Sequence, residues 1–241
     1  MFEKEASLQH IVKEAIVEKI KQGIYQIGDK LPPEIELCKM FNVSRTTVRL
    51  ALQQLTLEGR IYRIQGSGSY VSEPKITQSL SSSGLGFANQ MLEQGYQPKV
   101  VVIDLRVIPA DSSLAEKLQL NETDPLTKLT RIRYANEIPI QYETSYIPWK
   151  FAPGLVEEKE DSLHSLFSLL QTKYNIKIHK TVESLEPIIP TTQLCTRLQM
   201  IEGTPAFQLE TTTYNQNQAP IEYSEAIFRG DRSKFTIERY Y

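Results

Sequence analysis

The chain has 241 residues, 40% apolar and 23% charged, which excludes a disordered or fibrous chain and allows one large domain or two ordinary ones. No apolar run approaches the ~20 residues that span a bilayer, and the charged start Met1-Phe2-Glu3-Lys4-Glu5 has no signal-peptide core, so a cytoplasmic protein with no membrane partner is expected. The net charge of −2 divides into +1 over residues 1–73 and −3 over the remainder, so any nucleic-acid surface must be a local basic patch.

The first 71 residues read as a compact helix-rich domain. Leu8, Ile11, Val12, Ala15, Ile16 and Ile20 recur with a helical period, and Gly23 ends that helix. Pro32-Pro33 open a second helix with the apolar residues Ile35, Leu37, Cys38, Met40 and Phe41. After the Asn42-Val43 turn, Ser44 caps a third helix, about 45–58, whose Val48, Leu52 and Leu55 face inward and which Gly59 closes. Ile61–Ile64 and Ser69–Val71 read as two short strands joined through Gly66-Ser67-Gly68. Residues 72–83, polar and containing Pro74, read as a linker. From 84 to 241 the pattern alternates. Helices are expected near 85–94, 110–118, 162–173 and 191–199, and strands near 99–108, 126–135, 138–147, 180–189, 206–214 and 221–229. The run Tyr134–Tyr142 is echoed by Tyr214–Tyr223, each with Pro-Ile-polar-Tyr after a polar turn, which suggests two related hairpins in one antiparallel sheet. Cys38 and Cys195 fall in predicted helices and read as reduced core thiols. Neither they nor His10, His164 and His179 have ligand spacing, so neither metal nor cofactor is expected.

Residues 34–58 have the form of a helix-turn-helix. Its second helix begins Ser44-Arg45-Thr46-Thr47-Val48-Arg49. Arg45 and Arg49 are one turn apart and share a face, and an arginine fork can bond guanine O6 and N7 together. Thr46 and Thr47 can bond phosphate or touch a thymine methyl, and Ser44 with the helix N-terminus can meet a phosphate. The tip Gly66-Ser67-Gly68 is slim enough to enter a minor groove. The competing reading, a helical bundle with solvated arginines, is disfavoured by the order of the whole unit: three helices, then a glycine-tipped hairpin.

Those residues carry a resemblance. Gly28-Asp29-Lys30-Leu31-Pro32, Phe41–Arg49, Ala51-Leu52, Leu55, Glu58-Gly59 and Gly66–Val71 resemble the DNA-binding domain of the GntR family of bacterial regulators. Arg131-Ile132-Arg133, Pro139–Glu143, Pro220–Tyr223 and Phe228–Arg232 resemble the effector (UTRA) domain of its HutC-type branch. The resemblance implies an α+β protein, a winged helix-turn-helix followed by a chorismate-lyase-like antiparallel sheet with helices. It also implies a homodimer on double-stranded operator DNA. It points to repressors of sugar or amino-sugar utilisation that sense a phosphorylated sugar. Ile35 stands where the family commonly has a DNA-contacting arginine. Phe87 corresponds to a Phe that sugar-phosphate sensors flank with hydroxyl residues, and His164 to their tyrosine two residues after a capping serine.

The effector domain also permits a reading from its own residues. Arg131 and Arg133 lie on one face of a strand. Apolar alternation favours pairing Ile132 with Tyr142, which sets Arg131 opposite Glu143 and Arg133 opposite Gln141. That face could clamp an anionic metabolite, with Glu143 on its hydroxyls, Glu222 added by the echo hairpin and Ser162 at a predicted helix N-terminus. A solvated sheet face with cross-strand ion pairs is the plain alternative. A lyase-like enzyme, a ligand-free architectural DNA binder and an activator are the competing functions. The chain offers no nucleophile–base pair to favour the first.

Overall fold

The computed structural model describes residues 7–80, 86–158 and 165–239. In chain order the elements are α1 (Leu8–Lys21), α2 (Glu34–Phe41), α3 (Arg45–Leu57), β1 (Ile61–Ile64), β2 (Gly68–Val71), β3 (Ile76–Ser79), α4 (Phe87–Glu93), β4 (Pro98–Pro109), α5 (Ser112–Leu118), β5 (Pro125–Ala135), β6 (Ile138–Pro148), a 3-10 turn (Leu155–Glu157), α6 (Leu166–Thr172), β7 (Ile178–Ile188), α7 (Thr192–Arg197), β8 (Ala206–Asn215), β9 (Pro220–Arg229) and β10 (Ser233–Thr236). They fall into two compact units: Met1–Ile76 with Gly230–Lys234, and Thr77–Arg229 with Phe235–Tyr241. The segment read as a linker therefore contains a strand, β3, which pairs with β10. Neither strand is legible in the sequence, because each has only four residues and its partner lies some 150 positions away.

In the first unit α1, α2 and α3 close around Val12, Ile16, Leu37, Val48, Leu52 and Leu55, with Ile61 and Val71 of the β1–β2 hairpin. Helical period alone overstated this core: Leu8, Ile11, Ile35 and Met40 are exposed, and Val17 is buried instead. A two-turn helix such as α2 has one inner row, and Leu37 fills it. Ser7 caps α1 and Ser44 caps α3, each accepting from the third residue on. The end of α3 is a left-handed turn at Gly59, with Arg60 N–H bonded to Leu55 O at 2.9 Å.

The second unit is a six-stranded antiparallel sheet in the order β4-β5-β6-β9-β8-β7. Its elements repeat. The run α4-β4-α5-β5-β6 recurs as α6-β7-α7-β8-β9, with starts 79 to 82 residues later, and the two copies meet where β6 pairs with β9. Equivalent details agree. α5 and α7 both end on a left-handed glutamine, Gln119 and Gln199, each at φ 51°. Both hairpins carry a register shift at the same tyrosine, after Arg133 and after Thr213. The first hairpin closes with Asn136-Glu137, both at positive φ, as the right-handed twist of the flanking strands demands. α5 packs on Leu126 and Tyr223, and α7 on Ala206 and Ile227. By strand alternation these residues lie on the face opposite Arg131, Glu143 and Glu222. α6 covers the second face at one end, over Leu129 and Ile147. The rest of that face is left for a cavity.

Gly59 tests the packing of the first unit. A Cβ built there would lie 1.8 Å from the backbone oxygen of Asp231, at a φ of +70°. Gly59→Ala should therefore destabilise the protein by more than the ~1–2 kcal/mol of left-handed strain alone. A fall in the urea midpoint checks this; an unchanged midpoint would show that the Gly230–Lys234 loop does not close over α3.

Candidate functional site

The helix-turn-helix is built by two caps. Asn42 ends α2 in the left-handed conformation, and Ser44 starts α3 by accepting from Thr47 N at 3.1 Å. The same hydroxyl lies 2.9 Å from Thr47 Oγ1, so Ser44 and Thr47 are occupied with the cap. Arg45, Thr46 and Arg49 are exposed around the first turns of α3. Arg45 has no ion pair with a described residue, whereas the Arg49 guanidinium is held 2.8 Å from Glu34 of α2. The sequence treated the two arginines as equivalent; the fold tethers one of them. In the wing, Gly66 and Gly68 take positive φ, and Ser67 Oγ reaches Tyr70 Oη at 2.5 Å. A Cβ on Gly68 would approach Lys30 Cε to 2.9 Å, which puts a lysine beside the wing tip that periodicity gave no reason to select. Ile35, at 55% exposure, lies on the surface of α2.

In the second unit Arg131 pairs across the ladder with Glu143, Ile132 with Tyr142, and Arg133 with Gln141. Arg131 Nη2 bonds Glu143 Oε2, and Arg133 Nη2 bonds the same oxygen at 2.9 Å and Oε1 at 3.2 Å. Arg133 also stacks over Phe87, its guanidinium carbon 5.2 Å from the ring centre. On β9, Glu222 accepts from Thr213 Oγ1 at 2.6 Å. Phe87, Arg131, Arg133, Glu143 and Glu222 all line one cavity of about 790 Å³. Ser162 and His164 lie outside the described residues. Within the described residues α6 begins at Leu166, and its cap is Ser165, which accepts from Ser168 N and lines the cavity. Sequence reasoning also missed Thr211, Ser224 and Glu183 on the wall; the 80-residue repeat was the signal that could have found the first two. Cys195 is buried in α7 and Cys38 half-buried, both as free thiols.

Comparison with known proteins settles what this pairing of units is. Residues 8–71 match the family described as bacterial regulatory proteins, gntR family, and residues 93–234 match the UTRA domain. The chain is 36% identical over 225 residues to the HTH-type transcriptional repressor NagR of Bacillus subtilis (strain 168), covering 93% of this chain and 91% of that one. The chain belongs to the gntR family. It is also 29% identical to the probable fructoselysine utilization operon transcriptional repressor of Escherichia coli (strain K12), over 94% of this chain and 92% of that protein. The crystal structure of PhnF from Mycobacterium smegmatis superposes with a TM-score of 0.66 at 28% identity, covering 95% of this chain and 99% of that one.

This GntR protein is thus a transcriptional regulator with a UTRA effector domain, and those relatives, regulators rather than enzymes, set the lyase alternative aside. Its cavity has an uneven charge. Burial works against ionisation of Glu143, but the two guanidinium charges beside it outweigh burial and hold its carboxyl below the usual range. Burial lowers Arg133, partly offset by Glu143. Glu222 has no such relief: burial, with the Glu143 charge nearby, pushes its carboxyl up to about 7 against the bonds from Thr213 and its serine neighbours. Within this cluster two cations therefore face one secure anion, and Glu222 does not offset the excess while its carboxyl stays protonated.

The raised Glu222 carboxyl has a stability consequence. The folded state holds this proton up to about pH 7, while the unfolded chain releases it near the ordinary value of 4.5. The group therefore favours folding below about pH 4.5, and that contribution is lost as pH rises to 7. Glu222→Gln keeps an acceptor for Thr213 and removes the proton. Thermal midpoints from pH 4.5 to 7 should fall less steeply in the variant than in wild type, and parallel curves would contradict the burial argument.

Proposed function

We propose that this regulator is a homodimeric repressor of a carbohydrate or amino-sugar utilisation operon, released from operator DNA by an anionic metabolite such as a sugar phosphate. The observation that carries the effector class is the buried Arg131–Arg133–Glu143 cluster on a cavity wall. Guanidinium forks match phosphate and carboxylate oxygens, and the second cation leaves the cluster with charge to share. Phe87 packs against Arg133 and fixes its plane. The hydroxyl-bonded Glu222 is suited to a ligand hydroxyl or amine. The sugar or amino-sugar assignment draws support from the names of the relatives above.

On the DNA side, the α3 N-terminus enters the major groove, with Arg45 as the freer base-reading group and Arg49 steered by Glu34. Thr46 contributes a hydroxyl, Ser44 and Thr47 stiffen the first turn, and Gly66-Ser67-Gly68 with Lys30 approach the flanking backbone. Such a helix reads one half-site, which is why two chains are needed for a palindrome. The site of action is then the cytoplasm, where the operator lies. A ligand lowers operator affinity only by favouring a dimer conformation that spaces the two reading heads wrongly for the half-sites.

Two outcomes check this. Titrated at fixed salt, a duplex carrying the operator should saturate at two chains, and Arg45→Ala should weaken binding by about 1–3 kcal/mol, more than Arg49→Ala. Equal, wild-type affinity in both variants would remove α3 from the interface. Deleting both cavity arginines would strand Glu143 without a counter-ion, a change that can unfold a protein. Arg133→Gln is gentler. It should keep the wild-type circular dichroism and operator affinity, while raising the sugar-phosphate concentration needed for DNA release by tenfold or more. Release at the wild-type concentration would show that the cluster does not hold the anion.

A further inference from the structure

The two halves of the duplicated sheet unit differ chemically. Eighty residues after Arg131 and Arg133 of β5 stand Thr211 and Thr213 of β8, at the same places relative to the equivalent register shifts. In the partner strands, Ser224 of β9 takes the place that Glu143 holds on β6. The cavity wall is therefore cationic over one half and hydroxyl-lined over the other.

Beyond the hydroxyl half lies the edge strand β7. There Glu183 pairs with Thr211 in the ladder and lines the same cavity. It is exposed and makes no ion pair with a described residue. Partial burial of the carboxyl against the cavity wall raises it above the usual range. The nearest lysine along the strand, Lys180, holds its ammonium 4.9 Å from the centre of the Tyr214 ring instead. The wall thus ends in a carboxylate with no ion-pair partner among the described residues, whereas Glu143 at the other end is bonded by two guanidinium groups.

Size points the same way. Four strand spacings separate β5 from β7, or about 19 Å across the sheet. At about 790 Å³ the cavity lies in the upper part of the range for small-molecule sites. A small anion held by Arg131 and Arg133 would leave the Glu183 end unfilled.

We infer that the effector is a two-ended molecule, with an anionic group at Arg131 and Arg133, a hydroxylated middle over Thr211 and Ser224, and an ammonium group at Glu183. The inference rests on the effector reading above and extends it to a ligand class, an amine-bearing conjugate of a sugar phosphate. An ammonium at Glu183 forms a charge-assisted hydrogen bond with a cavity carboxylate that has no ion-pair partner among the described residues.

The test uses three probes in titration calorimetry on the full-length protein. One is glucose 6-phosphate. The second is glucose 6-phosphate reductively aminated with 1,5-diaminopentane. The third is the matching pentylamine conjugate, which keeps the chain and the secondary amine but lacks the terminal ammonium. Wild type should bind the diaminopentane conjugate about fivefold tighter than the pentylamine one, the size expected of a partly exposed ion pair. Glu183→Gln, an isosteric change on an exposed edge strand, should bind the two conjugates alike and keep its affinity for glucose 6-phosphate. A wild-type ratio near one, or a ratio that survives Glu183→Gln, overturns the assignment of Glu183 and leaves the arginine site standing. Failure of all three probes to bind wild type overturns the arginine site itself, and the inference with it.

Discussion

Two guanidinium groups fixed on one carboxylate, inside a protein, is the constraint around which the effector unit is arranged. Arg131, Arg133 and Glu143 are too desolvated to be left unpaired, and only a rigid two-strand ladder keeps them in register. The cluster pairs off one positive charge and leaves the other to the cavity. Glu222 cannot cancel it while its carboxyl stays protonated. An apolar sheet face of the same shape would be cheaper to bury and would bind nothing charged. The site therefore trades some folding stability for a fixed cationic wall.

Duplication of the α-β-α-β-β run explains how one sheet carries two chemistries. The repeated halves share turns, caps and bulges because those features set backbone path: Gln119 and Gln199 take the same left-handed angle, and both hairpins shift at a tyrosine. The side chains on the cavity face do not affect the path and have diverged, arginines on one strand and threonines on its equivalent. The opposite face stays apolar in both halves, since α5 and α7 must each be anchored there.

The DNA-binding unit economises differently. A small core of three helices and a hairpin holds α3 by its inner residues Val48, Leu52 and Leu55, leaving its outer N-terminal turns free. Ser44 and Thr47 stiffen that first turn, and Glu34 limits where Arg49 points. Ile35 is exposed on α2, so an apolar side chain stands on that surface beside the ion-paired Glu34.

Sequence alone determined whatever depends on neighbours along the chain. The helix and strand spans, the Ser44 cap, the glycine wing and the Arg131–Glu143 pairing all follow from periodicity of 3.6 or 2 and from turn residues, which act over a few positions. It overstated the inner faces of α1 and α2, because a helical stripe does not say how many neighbours will cover it. It also took 72–83 for linker, since the pairing of β3 with β10 is decided by residues far along the chain. Only the tertiary structure assembled the cavity: Phe87, Thr211, Glu222 and Glu183 belong to four separate elements, and their meeting depends on the sheet order β4-β5-β6-β9-β8-β7, which no local pattern encodes. The charges on Glu143 and Glu222 were decided there too, because ionisation answers to burial and to neighbours across strands, not to position in the chain.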